Sequence, residues 1–247
     1  MPIAWLVAGA FLPPAAVGLS AGGAAQAERS VLEPFVYMLT FYGSWLLWSC
    51  QVAFIVVLAG MAIGAPAAYA IVRTKARAAR VLEEVSLLPL SLPGISLSVA
   101  LLAAYPSARG RWLVVAGHLL YTLPLFIRVA THALRTRDVE QLEDAARTLG
   151  ASLLQRLLWI VLPSLRPALV LGSLLVFTVS FGELNVSYLL NAGQPQTFPA
   201  ALYNTFANED IRRASAATVI FLAGALPPLA CIQWLDRDAA VRVEQGA

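Results

Sequence analysis

The chain has 247 residues, 59% of them hydrophobic and 13% charged, and a mean hydropathy of +0.73. Soluble chains carry roughly 25% charged residues; so little polar surface cannot cover a water-facing globule, whereas a bilayer asks for apolar side chains outside as well as inside. A formal net charge of +3 gives no nucleic-acid-binding surface, and Cys50 and Cys231, which form no CxxC, provide neither a disulfide framework nor a metal site.

Charges are absent from residues 1–27, 34–72, 85–108, 112–127, 167–182, 184–208 and 214–235. A helix crosses the hydrocarbon core with about 20 apolar residues. Read with their Pro, Gly and aromatic punctuation, these stretches predict six spans near 3–20, 45–71, 85–105, 112–133, 167–190 and 214–235. The expected fold class is therefore an all-α membrane protein of about six transmembrane helices. With both termini in the cytoplasm, 12 of the 17 Lys and Arg residues fall inside, and Arg29, Arg109, Arg111, Arg212 and Arg213 outside, the distribution that the positive-inside rule favours. Trp45, Trp48, Trp112 and Trp234 suit an interfacial aromatic belt.

Residues 1–40 read as a first transmembrane helix, made irregular by Pro13 and Pro14, followed by an external segment. The alternative is a cleaved signal peptide, since Ala25-Gln26-Ala27 resembles a cleavage site, but no basic n-region precedes it. Gly18-Leu19-Ser20-Ala21-Gly22 matches the nucleophile-elbow pattern. It lacks the preceding strand and the nearby His that make such a serine reactive. Residues 41–235 form the main transmembrane unit, with a cytoplasmic loop at 134–166, and 236–247 form a cytoplasmic tail. His118 and His132 are the chain's two histidines; hydrogen bonding to a neighbouring helix accounts for a buried one, and neither is assigned to catalysis. Lys75, the one lysine, is followed by Ala76, so there is no Walker A loop and any energy from ATP comes through a partner.

The stretch from Asp138 to Pro167 predicts two short helices and a turn. Asp138 and Gln141 can cap the first, Glu143 and Arg147 are spaced for an i,i+4 pair, and Leu142, Ala145, Ala146 and Leu149 share a face. Gly150 stops it. Ser152 and Gln155 open a second helix with an apolar stripe of Leu153, Leu154, Leu157, Leu158 and Val161, which Pro163 ends. Such faces need cover, from a partner protein or from the chain's own spans. In the fifth span Glu183 is the one acid placed well inside a span, with Thr178, Ser180, Asn185 and Ser187 nearby. A charge at the bilayer centre costs about 2.5 to 3.5 kcal/mol on insertion scales. Glu183 is either at an interface or bonded to another helix, or else it stands with Ser180 and Asn185 on the wall or gate of a solute path. The loop 191–213 is polar and aromatic enough for the outer surface.

Asp144-Ala145-Ala146, then three residues, Gly150, nine residues and Ile160-Val161-Leu162-Pro163 resemble the EAA loop of binding-protein-dependent ABC importer permeases. Asp144 stands where the family usually has Glu, which keeps the carboxylate but shortens it. The resemblance extends through Leu88 to Ile95, Gly117-His118 to Pro124 and Arg128, and Phe181-Gly182-Glu183-Leu184, so that it covers roughly residues 40 to 235. It implies a type I importer permease fold without enzymatic activity, cofactor or metal, in the bacterial inner membrane. The first loop helix would be the coupling helix, with Asp144, Ala145, Ala146, Gly150, Ile160, Leu162 and Pro163 in the ATPase-coupling loop. The implied partners are two ABC ATPase subunits, a second permease subunit, identical or homologous, an external solute-binding protein and membrane lipid. Within the family the FGEL segment looks most like permeases for ferric iron, thiamine and aminoethylphosphonate, and less like those for molybdate and sulfate. Two other functions share these features, a membrane scaffold without transport and an intramembrane enzyme.

Overall fold

The computed structural model describes Ala10 and residues 32–74, 77–136, 139–191 and 196–245. The expected span at 3–20, the serine pattern at 18–22 and the Asp138 cap lie outside the described residues. Among those described, the regular structure is entirely helical. It consists of α1 (Glu33–Arg73), α2 (Arg77–Ser86), α3 (Leu88–Ser91), α4 (Gly94–Ala104), α5 (Arg111–Thr136), α6 (Val139–Thr148), α7 (Leu153–Gly182), α8 (Asn185–Leu190), α9 (Phe198–Asn208) and α10 (Ile211–Gln245).

Four of these helices, α1, α5, α7 and the stretch 211–233 of α10, are long and apolar enough to cross a membrane. Their limits correct the expected ones. The second span starts at Glu33 rather than near 45 and has 41 residues, with Pro66 inside it. The last helix runs on to Gln245, through the stretch expected as a tail. The span expected at 85–105 is broken into the end of α2, α3 and α4: Pro89 sits in the first turn of α3, where its missing donor suits a helix start, and Leu92 before Pro93 is extended.

α5 is the central element. Of its apolar window 56% is buried, against 22% for that of α10, and α1 and α7 both pack along it. Phe126, fully buried, is the main knob of this core. A Cβ added at Gly64 of α1 would stand 2.6 Å from its ring, and one at Gly172 of α7 would stand 3.0 Å away. Two glycines thus let three helices close around one aromatic ring, in the manner of small residues at membrane helix contacts. A second cluster joins Met38 and Trp45 of α1 to Phe198 and Ala201 of α9 and to Ala216 and Ala217 of α10. In a third, Phe181 stacks on Phe177 and Phe221 at centroid separations of 5.8 and 5.5 Å.

The end of the bundle away from α6 is fastened by one arginine. Arg213 pairs with Glu209 at 2.7 Å and with Glu33 at 3.6 Å, and its guanidinium lies 3.7 Å from the centroid of the Tyr37 ring. The Tyr37 hydroxyl donates to Glu209 Oε1 at 3.0 Å. The start of α1 is thereby tied to the turn between α9 and α10.

Candidate functional site: a braced loop helix and two facing helix breaks

α6 ends where the glycine requires it to. Gly150 has φ +83, a left-handed conformation that a side chain resists, and Ala151 N–H donates to Ala146 O at 3.0 Å across the turn. Ser152 then caps the next helix in a reciprocal box: Gln155 N–H donates to Ser152 Oγ at 3.3 Å, and Ser152 N–H donates to Gln155 Oε1 at 2.8 Å. Both features follow the sequence expectation. The expected stop at Pro163 does not occur. Residues Leu157–Val161 form a π-turn in which Leu162 N–H reaches back to Leu157 O, and the helix continues through Pro163 into α7. A proline cannot supply the ordinary bond to the carbonyl four residues back, and the widened turn re-routes the ladder around it.

The two faces of α6 differ. Val139 and Glu143 are buried, whereas Leu142 and Leu149 are 56% and 88% exposed. Asp144, Ala145 and Gly150 are also exposed and Ala146 is half-buried. Of the remaining loop residues, Ile160 and Pro163 are half-buried and Leu162 is exposed. A cavity of about 420 Å³ opens between the two loop helices, with Ala146, Leu149, Gly150, Arg156, Trp159 and Ile160 on its wall.

Glu143 does not take the expected role. Instead of pairing with Arg147 on the helix surface, it turns inward to α1 at 3% exposure. Arg73 Nε donates to its Oε2 at 2.6 Å, Arg73 Nη2 pairs with the same oxygen, and the Tyr69 hydroxyl donates to Oε1 at 2.8 Å. Glu140 Oε2 lies 3.7 Å from Arg73 Nη1. Sequence spacing favoured the local partner because Tyr69 and Arg73 lie about 70 residues away. The available signal was i,i+4: Tyr69 and Arg73 share one helix face, as do Val139 and Glu143. Beside this cluster, Arg135 holds Glu83 through two hydrogen bonds of 2.9 and 2.7 Å, fixing α2 to the end of α5.

The second region lies deeper. α7 stops at Gly182 and α8 begins at Asn185, so Glu183 sits in a helix break instead of inside a continuous span. Its Oε1 accepts from Val186 N–H at 3.1 Å, satisfying one of the free donors at the start of α8. The break faces the one at Leu92–Pro93: a Cβ on Gly94 would stand 3.2 Å from Glu183 Oε1 and 3.2 Å from the Asn185 Cβ. Glu183 is half-buried and Asn185 exposed. The Ser180 side chain, by contrast, is buried and bonded to α5. His118 Nδ1 lies 2.8 Å from Ser180 Oγ and Nε2 lies 2.7 Å from Ser187 Oγ. A neutral imidazole offers one donor and one acceptor, and a hydroxyl can answer either. His118 thus pins the helix segments on both sides of the break to α5.

The family described as "Binding-protein-dependent transport system inner membrane component" matches residues 58–241. The Molybdenum transport system permease protein ModB of Escherichia coli (strain K12) is 29% identical over 220 residues, covering 80% of this chain and 94% of that protein. The Putative 2-aminoethylphosphonate transport system permease protein PhnV of Salmonella paratyphi A is 27% identical over 184 residues, with 72% and 69% covered. WtpB of Pyrococcus abyssi, a molybdate/tungstate permease protein, is 26% identical over 183 residues, with 72% of each chain covered. Molybdate-type relatives therefore stand beside the aminoethylphosphonate-type ones, contrary to the expected distance, and the ferric-iron and thiamine types gain no support from these names. In fold, the chain is similar to a chain of the MetNI methionine ABC transporter, with a TM-score of 0.68 at 17% identity over 83% of this chain and 98% of that one.

Proposed function

The chain belongs to the family of binding-protein-dependent transport system inner membrane components, and from that premise we propose that it forms one half of the membrane path of an ATP-driven importer for a small oxyanion or phosphonate. It is a transport component, not an enzyme in its own right. ATP is hydrolysed on two partner subunits, a second permease chain completes the path, and an external binding protein delivers the solute. Molybdate, tungstate and 2-aminoethylphosphonate are the solute candidates, taken from the names of the relatives.

The observation that carries this reading is the two-faced α6. Its inner face is anchored by Glu143, and its outer face presents Leu142, Ala145 and Leu149 to solvent beside an open cavity. Apolar side chains of this size gather on an exposed helix face where another protein covers them. We assign that cover to the ATPase, with Asp144, Ala145, Ala146 and Gly150 at the contact and Ile160, Leu162 and Pro163 supporting it. α6 then lies in the cytoplasm with both termini, and the Arg213 end faces outward, which agrees with the charge distribution.

The solute path runs past the facing breaks at Leu92–Pro93 and Glu183–Leu184. Interrupted helices are tolerated in a membrane where they are packed in protein or line a water-filled cavity. An anionic solute gains nothing from Glu183, so the carboxylate serves the gate, by holding the start of α8, while Asn185 is the exposed polar group beside it. Alternating access follows: ATP binding draws the two ATPases together, α6 rides with them, and the spans re-open toward the other side.

Purification of the tagged chain in nanodiscs, with mass spectrometry of its companions, tests the assignment. An ATPase accompanying the wild type and missing from a membrane-inserted Gly150→Pro variant is the expected result. Intact wild-type particles without an ATPase would overturn it in favour of a scaffold.

A further inference from the structure

We propose that Arg73, Glu143 and Tyr69 form a rigid strut through which movement of α6 is passed to α1, with Arg73 and Glu143 as positioning residues for coupling. The inference rests on the assignment of α6 to the ATPase contact and adds the route by which that contact reaches a span. Both carboxylate oxygens of Glu143 are engaged, Oε2 by the Arg73 guanidinium and Oε1 by the Tyr69 hydroxyl, and the two donors come from adjacent turns of one helix. Charge-assisted contacts on both oxygens, from donors on two turns of one helix, fix direction as well as distance. The carboxylate is 3% exposed, so water does not compete for it as it does for a surface pair. Main-chain packing between α1 and α6 is slight, so side chains link the two helices: these polar groups, and the apolar cluster that holds Val139 with Tyr69 and Val72.

α1 is suited to carry what the strut delivers. It is one helix of 41 residues, and its other end is held by Arg213 through Glu33 and Tyr37. A displacement imposed at Arg73 therefore arrives at the turn between α9 and α10, at the far end of the bundle. The neighbouring Arg135–Glu83 pair lacks this property, since it joins α2 to α5 without touching α6 and its arginine is half exposed.

The test uses the complete transporter purified with its ATPase in nanodiscs, with Cys50 and Cys231 replaced by serine. Spin labels go on Ile63→Cys of α1 and Arg147→Cys of α6, both exposed positions, with labelled chains diluted in unlabelled ones. The intrachain distance is compared between nucleotide-free particles and particles trapped with ATP and vanadate. The expected result is a constant distance with the native strut, and a shift of the distance maximum on trapping in Glu143→Gln and Arg73→Gln particles that still hydrolyse ATP. The reversed pair Arg73→Glu with Glu143→Arg should restore the constant distance, and Tyr69→Phe, which removes a single bond, should give a smaller shift. A distance that already shifts with the native strut overturns the proposal, and this measurement needs only the labelled chain, with Arg73, Glu143 and Tyr69 intact, to assemble. A distance that stays constant in every assembled variant overturns it too, and reduces the cluster to a structural role. Failure of the wild type to bring down any ATPase is a separate result, overturning the coupling assignment and the strut with it.

Discussion

His118 shows how a titratable side chain in a span can be fully used by structure. Its two ring nitrogens meet Ser180 before the helix break and Ser187 after it, so one side chain sets the relation of α7 and α8 to α5. Interhelical hydrogen bonds in membranes contribute about 0.6 kcal/mol each on average. His118→Leu should lower the unfolding stability by about 1 kcal/mol, read as a drop in Tm in nanodiscs. Most of that loss is the cost of leaving two hydroxyls unpaired, and replacing both partners by apolar groups can be nearly neutral. Adding Ser180→Ala and Ser187→Ala to His118→Leu should therefore recover part of the Tm; a further fall would show that the three groups do not act as one unit. The sequence identified His118 as a buried hydrogen-bonding histidine, but not its partners, which lie 62 and 69 residues away.

At the scale of elements, the loop at 139–163 separates local from distant control. The glycine turn and the capping box are set by neighbours within three or four residues, and both appear as the sequence predicts. Losing a serine cap costs about 1 kcal/mol. Ser152→Ala should speed hydrogen exchange in the first turn of α7 and leave α6 unchanged, whereas Gly150→Ala, which must hold φ +83, should speed exchange across both loop helices. Equal protection in both variants and the wild type would mean that the turn is held from outside. Pro163 misled because its local effect was overridden: the π-turn at Leu157–Val161 carries the helix past the proline, and α6 packs beside it.

The whole molecule places two interrupted helices against each other. Neither the Pro93 break nor the Glu183 break stands alone; Gly94 permits the close approach of Glu183 and Asn185 that makes them one feature. If that feature is the gate, Glu183→Ala at normal membrane levels should reduce uptake several-fold, assayed separately with molybdate, tungstate and 2-aminoethylphosphonate. Glu183→Gln, which keeps the oxygen that accepts from Val186 N–H, should lie between Glu183→Ala and the wild type. Wild-type uptake of every transported solute in Glu183→Ala would remove the residue from the pathway.

Hydrophobic runs, basic clusters and local caps were enough for the all-helical membrane class, for most of the spanning stretches and for the helix-glycine-helix loop with its family likeness, because each depends on composition or on contacts within a few residues. Only the tertiary structure decided that Glu143 turns to Arg73 instead of Arg147, that Glu183 lies in a break, and that Ser180 is bonded to His118. Those outcomes follow from which helices lie side by side, and a buried carboxylate or hydroxyl takes whichever partner the packing brings within hydrogen-bond reach.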